Sequence, residues 1–240
     1  MKRNALLGLL TLLAASLFGA DPSLKDDVQS AAKELGDKPS YSWKITMEFG
    51  SGGPARLGAT EGKTQKSGLT TLTMPYGETV MEAVMKEGKG VLKSADGWQT
   101  FEEAMAGEAS QSNPARFLAR MLQNYKLPAG QADDLLGKAK TLRKVEGAYV
   151  GELTETGAKE LLTFRGRPGA TNAPTAANAK GTVRFWLREG VLIKYQVQVL
   201  GTVSFNGTDR DVDRTTTVEI KDVGVTRVTV PEAAKKKMPK

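Results

Sequence analysis

The residues of this 240-residue chain that could do chemistry are few, and none of them completes a site. Ser30 and Lys33 have the Ser-x-x-Lys spacing of serine acyl enzymes, which on a helix brings hydroxyl and amine together. Neither Ser-Asp-Asn nor Lys-Thr-Gly follows to finish the constellation. Gly58 and Gly62-Lys63-Thr64 resemble a phosphate loop, but three residues separate the glycines where four are needed. The chain from Ser67 reads as a strand where that loop must open a helix, so a hairpin turn is expected here. Asp209, Asp211 and Asp213 alternate like early calcium-loop ligands, yet Arg214 stands where the turn glycine belongs. Glu102-Glu103 is a poor acid/base pair, because adjacent helical residues do not face each other. With no histidine and no cysteine there is no Ser-His pair, no thiolate and no ordinary zinc or iron site. The reading is a non-enzyme without metal or cofactor.

The elements around these residues are clearer than the chemistry. Ser23 to Glu34 has the spacing of an amphipathic helix. In YSWKITMEF, Tyr41, Trp43, Ile45, Met47 and Phe49 then fall on one face of a strictly alternating strand. Gly50–Pro54 turns the chain, and strands are expected over 55–60, 67–74, 79–86 and 91–94. The middle is helical: a short helix from Trp98 to Met105, a second capped by Asn113 with Phe117, Leu118 and Met121 at helical spacing, and a third opened by Pro128. A hairpin turned at Glu146-Gly147 and a helix capped by Thr154 follow. Residues 166–180 are small, Pro-rich and polar, and read as a mobile loop. The last third is antiparallel sheet, with a strand from Val191 to Phe205 far longer than the usual five or six residues and therefore curved. Asn206-Gly207 turns it back, and Thr226–Val230 reads as one more short strand. The order predicts an α+β fold: a curved antiparallel sheet, an incomplete β-barrel, with helices covering its concave face.

The first residues speak to compartment. Met1–Asn4 is positive, Ala5–Phe18 is apolar and Gly19-Ala20 is small, the order of a secretory signal peptide. The expectation is cleavage near Ala20, a single domain over 21–240, and a soluble protein in the periplasm or outside the cell. No cysteine follows the apolar run, so no lipid anchor is expected. Losing Lys2 and Arg3 takes the formal charge from +7 to +5. Much of the remainder sits in a basic tail, 232–240, where Lys235, Lys236 and Lys237 could meet a membrane surface; nucleic acid is not an expected partner. Without disulfides, stability must come from the core.

The stretches SADGWQT, LTETGAKELL, GTVRFWLREGVLIKYQVQVLG and DRTTTVEIKDVGVTRVTVPEAAKKK are similar to those of a group of exported bacterial proteins. The layout as a whole resembles the superfamily of periplasmic lipoprotein carriers and mycobacterial lipid-carrier lipoproteins. That resemblance implies a hydrophobic cavity and a lipid or lipoprotein acyl chain as ligand. The lining expected from the apolar faces is Tyr41, Trp43, Ile45, Met47 and Phe49 with Met81, Met85, Phe117, Leu118 and Met121. Alternation establishes burial and not emptiness, so a structural or interaction module of the envelope with a filled core is the other reading.

Overall fold

The computed structural model describes residues 23–50, 58–76, 79–94, 97–106, 114–163 and 173–239. Helix α1 (Ser23–Asp37) leads into β1 (Ser40–Phe49), followed by β2 (Thr60–Gln65), β3 (Thr70–Tyr76), β4 (Thr79–Lys86), β5 (Lys89–Ser94) and β6 (Gly97–Thr100). Three helices come next, α2 (Phe101–Ala106), α3 (Pro114–Gln123) and α4 (Pro128–Lys138). The chain continues through β7 (Ala139–Val145), β8 (Ala148–Leu153), α5 (Glu155–Leu162), β9 (Thr175–Arg188), β10 (Val191–Phe205), β11 (Thr208–Lys221) and α6 (Glu232–Lys237).

All eleven strands form one antiparallel sheet in the order β6-β5-β4-β3-β2-β1-β11-β10-β9-β8-β7. The first and last strands pair at its centre, Trp43 opposite Ile220 and Met47 opposite Thr216. Two meanders spread from that seam, and the sheet stays open at β6 and β7. The chain must therefore travel from one edge to the other, and α2, α3 and α4 are the connection. Helices α1 and α5 pack on β10 and β9, and α2 and α3 pack on β5. This is the α+β curved sheet with helices over its inner face that the sequence predicts. Long β9 and β10 slip register between Leu192 and Lys194 and again between Leu200 and Thr202, as expected where long paired strands bend.

Local chemistry accounts for the hairpins. Glu87-Gly88, Glu146-Gly147, Glu189-Gly190 and Asn206-Gly207 all have both residues at positive φ, between 49° and 78°. That is the mirror-image turn whose twist matches paired strands. Thr154 caps α5 by accepting from the Gly157 amide at 3.0 Å.

Several sequence expectations are corrected. Glu61–Thr64 is the interior of β2 and not a hairpin turn; the turn lies at Lys66–Ser67. Gly97–Thr100 is strand, and the short helix starts at Phe101. Of the expected loop, Thr175–Lys180 is the start of β9, held by pairing of Ala176 with Val203. Thr226–Val230 makes no ladder: after a tight turn at Asp222–Gly224, anchored by the Gly224 amide on the Ser40 carbonyl at 2.7 Å, it leads to α6. The basic tail is itself mostly helix, with Ala234 fully buried against Val84 and Val91 on the outer face of the sheet. The expected leader, the Gly50–Pro54 turn beyond Gly50, Asn113 and residues 166–172 lie outside the described residues.

Candidate functional site

Every second residue of β1 points inward, and the expected lining divides into three groups along that direction. Tyr41 and Trp43, each 2% exposed, sit in one continuous core with Met81, Met85 and Leu118. Helices α2 and α3 supply Phe101, Ala104, Ala119 and Leu122 to the same core. At this end the interior is packed and not open. Further along the strand, Ile45, Met47 and Phe49 are only half-buried. Ile45 rests on the edge of the core, as do Val197, Val203 and Val212 from β10 and β11, while Met47 and Phe49 lie beyond it. The third group is a correction to the expected lining: Phe117 is 59% exposed and Met121 36% exposed. The face of α3 that meets the sheet is instead Ala115, Leu118, Ala119 and Leu122. Four apolar residues at the right spacing satisfied the helix; Phe117 and Met121 lie outside that stripe.

One polar side chain on the inner face was missed by the apolar pattern. Arg214, on β11, stands opposite Phe49 of β1 and opposite Val199 of β10. It therefore shares the inner face with that half-buried row. Its guanidinium donates to the Leu161 carbonyl of α5 at 2.6 Å. Burial lowers the pKa of this group, because low dielectric disfavours the cation. The sequence carried the signal: in TDRDVDRTTTVEIK, Arg214 occupies the same alternation class as Val212, Val218 and Ile220.

The candidate chemical motifs resolve into ordinary structure. Ser30 and Lys33 are exposed on α1. Asp211 and Asp213 accept from Thr202 at 2.9 Å and Gln198 at 3.2 Å, and Asp209 accepts from Ser204, so all three serve the polar face of β11. Glu103 caps α2. Among the described residues no group of three acidic, histidine or cysteine side chains could hold a metal, and no helix is long and apolar enough to cross a membrane. Of the lysines expected to meet a membrane, Lys235 pairs with Glu232 and Lys237 with Glu103.

Three polar atoms in the core make no hydrogen bond: the Tyr41 and Tyr125 hydroxyls and Trp43 Nε1. Burial pushes the Tyr125 pKa up to about 12 and raises those of Tyr41 and Tyr195 further. These phenols are therefore neutral donors. Tyr195 donates to Gln131 Oε1 at 2.7 Å. Two surface cavities flank the body. One, of about 440 Å³, lies on the outer face between Lys44, Lys63, Trp98 and the segment ending at Pro231. The other, of about 330 Å³, lies at the start of α4.

No family model and no curated protein matches the chain. Among solved structures it is similar to LprF from Mycobacterium bovis, at 9% identity and a TM-score of 0.43, covering 90% of this chain and 99% of that one. It is also similar to the lipoprotein LppX of Mycobacterium tuberculosis, at 11% identity and 0.45, covering 88% and 100%. A LolA superfamily protein from Nitrosomonas europaea matches at 9% identity and 0.31, covering 88% and 96%. Likeness at this level leaves function to the site itself.

Proposed function

We propose that the protein holds a lipid or lipoprotein acyl chain on the inner face of its half-barrel, as an exported carrier or sensor in the cell envelope. The observation that carries this is the row Ile45, Met47, Phe49, half-buried and running past the edge of the packed core with Arg214 beside it. An acyl chain laid along that row would complete the burial the helices leave unfinished. The guanidinium would meet an anionic headgroup in a place where water screens it poorly. Each methylene removed from water contributes about 0.8 kcal/mol, so a ten-carbon chain reaches roughly micromolar affinity after the cost of ordering it.

The interior near Tyr41 and Trp43 favours the second reading, a filled-core interaction module, for that half of the sheet alone. Native mass spectrometry of delipidated and as-purified protein, with displacement of a fluorescent fatty-acid probe, separates the two. Wild type should take up the probe, and Met47→Asp should lose it while keeping its circular dichroism. Absence of both lipid and probe uptake in wild type would leave the module reading standing.

A further inference from the structure

The stretch that leads into α6 is a strand without a ladder. After the turn at Asp222–Gly224, Thr226, Val228 and Val230 are half-buried while Arg227 and Thr229 are exposed, the alternation of an extended chain. Both ends of this strap are fixed. The Gly224 amide donates to the Ser40 carbonyl at the start of β1, and Val230 and Ala234 pack with Val84, Val91 and Trp98 of β4, β5 and β6. Between these anchors the strap crosses the outer face over β2 and β3. No backbone N–H or C=O of Arg227, Val228, Thr229 or Val230 has a hydrogen-bond partner among the described residues. An extended segment with unpaired main-chain groups is a template to which another chain adds as a strand.

Room for that chain lies alongside. The outer-face cavity of about 440 Å³ has Thr229 and Pro231 of the strap as one wall, and Lys44, Glu61, Lys63 and Thr73 of the sheet as its floor. Lys44, Glu61 and Thr73 are successive register partners on β1, β2 and β3, so their row runs across the strands as the strap does. The four unpaired residues span about 13 Å at about 3.3 Å each. A floor of charges and hydroxyls suits a peptide and not an acyl chain. Glu82 is taken by Lys93 at 2.7 Å, and Asp222 accepts from Ser42 at 2.9 Å. Lys44, Lys63 and Glu61 make no ion pair among the described residues. Two uncommitted ammonium groups against one carboxylate, with Arg227 exposed beside them, favour an acidic side chain in the slot. A second copy of this +7 chain would instead bring like charges together. We infer that the slot takes an extended, acidic polypeptide segment of another protein, which adds to the strap as a strand and sets a carboxylate over Lys44 and Lys63. It lies across the sheet from the inner-face row and does not depend on acyl-chain binding.

The test pans a phage-displayed library of short random peptides on the full folded chain, then titrates the enriched peptides against it. Enriched peptides should be acidic, and their binding should protect amides within Arg227–Val230 from hydrogen exchange. Alternate residues of an extended chain turn their N–H groups to opposite edges, and proline has none. Of Val228→Pro and Thr229→Pro, each with α6 still protected, one should therefore lose binding by about tenfold or more and the other should change little. Lys44→Gln combined with Lys63→Gln should weaken binding several-fold, and added salt should do the same. No enriched peptide, binding that leaves the strap amides unprotected, equal effects of the two prolines, or binding undiminished in the double lysine variant would overturn the inference. So would strap amides already protected in a concentration-dependent dimer, which would make a second copy the occupant.

Discussion

The Trp43 ring lies across the backbone of Gly62, its register partner on β2, so closely that a Cβ at Gly62 would sit 2.2 Å from Trp43 Cζ2. A glycine inside a strand is normally a weakness; here the neighbouring indole occupies the space a side chain would take. The ring in turn tilts against Tyr41, with centroids 5.7 Å apart. Gly62 is thus part of the core packing rather than a turn residue.

Gly62→Ala should destabilise the fold by about 1–3 kcal/mol, the usual cost of overpacking a filled core. Urea unfolding followed by tryptophan fluorescence measures it. An unchanged midpoint would mean that the indole swings aside freely and that the core at this end is loose.

The contrast between strand and turn at Gly62 shows what was legible. Strict alternation over Tyr41–Phe49 and the four positive-φ turns are local signals, and both were readable because one residue type decides each. Gly62 misled, since a glycine reads as a turn until a partner 19 positions away, Trp43, is known to cover it. Thr226–Val230 alternates as a strand does, but every ladder position at the seam is already taken by β1 and β11. Arg214 was hidden for the opposite reason: a charge among apolar residues was read as the end of a motif instead of a member of a face. The half-buried stretch beyond the core has no sequence signature at all, because half-burial and full burial use the same residue types.

The fully buried side chain of helix α6 is one small residue. Ala234 fits between Val84 and Val91, with Trp98, Val230 and Met238 around them. Ala234→Asp should put an unpaired carboxylate there, at a cost of about 1–3 kcal/mol or the smaller cost of releasing the helix. Hydrogen exchange should then report lost protection in α6. Lys236→Ala, at an exposed position, should leave exchange unchanged. Equal behaviour of the two variants would remove α6 from the packed structure.

Low pH should act on the same helix through Glu103. The Thr100 amide donates to Glu103 Oε2 at 2.7 Å and the Glu103 amide returns a bond to Thr100 Oγ1 at 3.0 Å, a reciprocal cap on α2. Lys237 of α6 donates to the other carboxylate oxygen at 2.9 Å. These contacts, the Thr100 amide first, hold the Glu103 pKa below its ordinary value of 4.5. A depressed folded pKa means the contribution is complete above 4.5 and disappears as pH falls through the lower folded value. Protection of α6 amides should therefore decline below that pH in wild type. In Glu103→Gln it should be lower at neutral pH and flat through the acid range. A wild-type profile that is flat as well would show that the link between α2 and α6 carries nothing.

Arg214→Met tests whether the half-buried cation serves a ligand or only the fold. Methionine keeps an unbranched apolar stem and removes the charge and the bond to the Leu161 carbonyl. Helix α5 retains its Thr154 cap and its packing on β9 and β10, so the variant should fold. Its thermal midpoint should change little, since the lost hydrogen bond is offset by no longer desolvating a cation. Binding should divide by headgroup. A hydrogen bond to a charged group contributes about 1.5–3 kcal/mol, so a fatty-acid anion should lose about tenfold or more in affinity. A monoacylglycerol of the same chain length, which makes no ion pair, should bind the variant as well as wild type. Displacement titrations of both ligands, in wild type and variant, read the difference directly. Equal losses for the two would reduce Arg214 to a tie between β11 and α5, and no loss for either would take the headgroup out of the inner face.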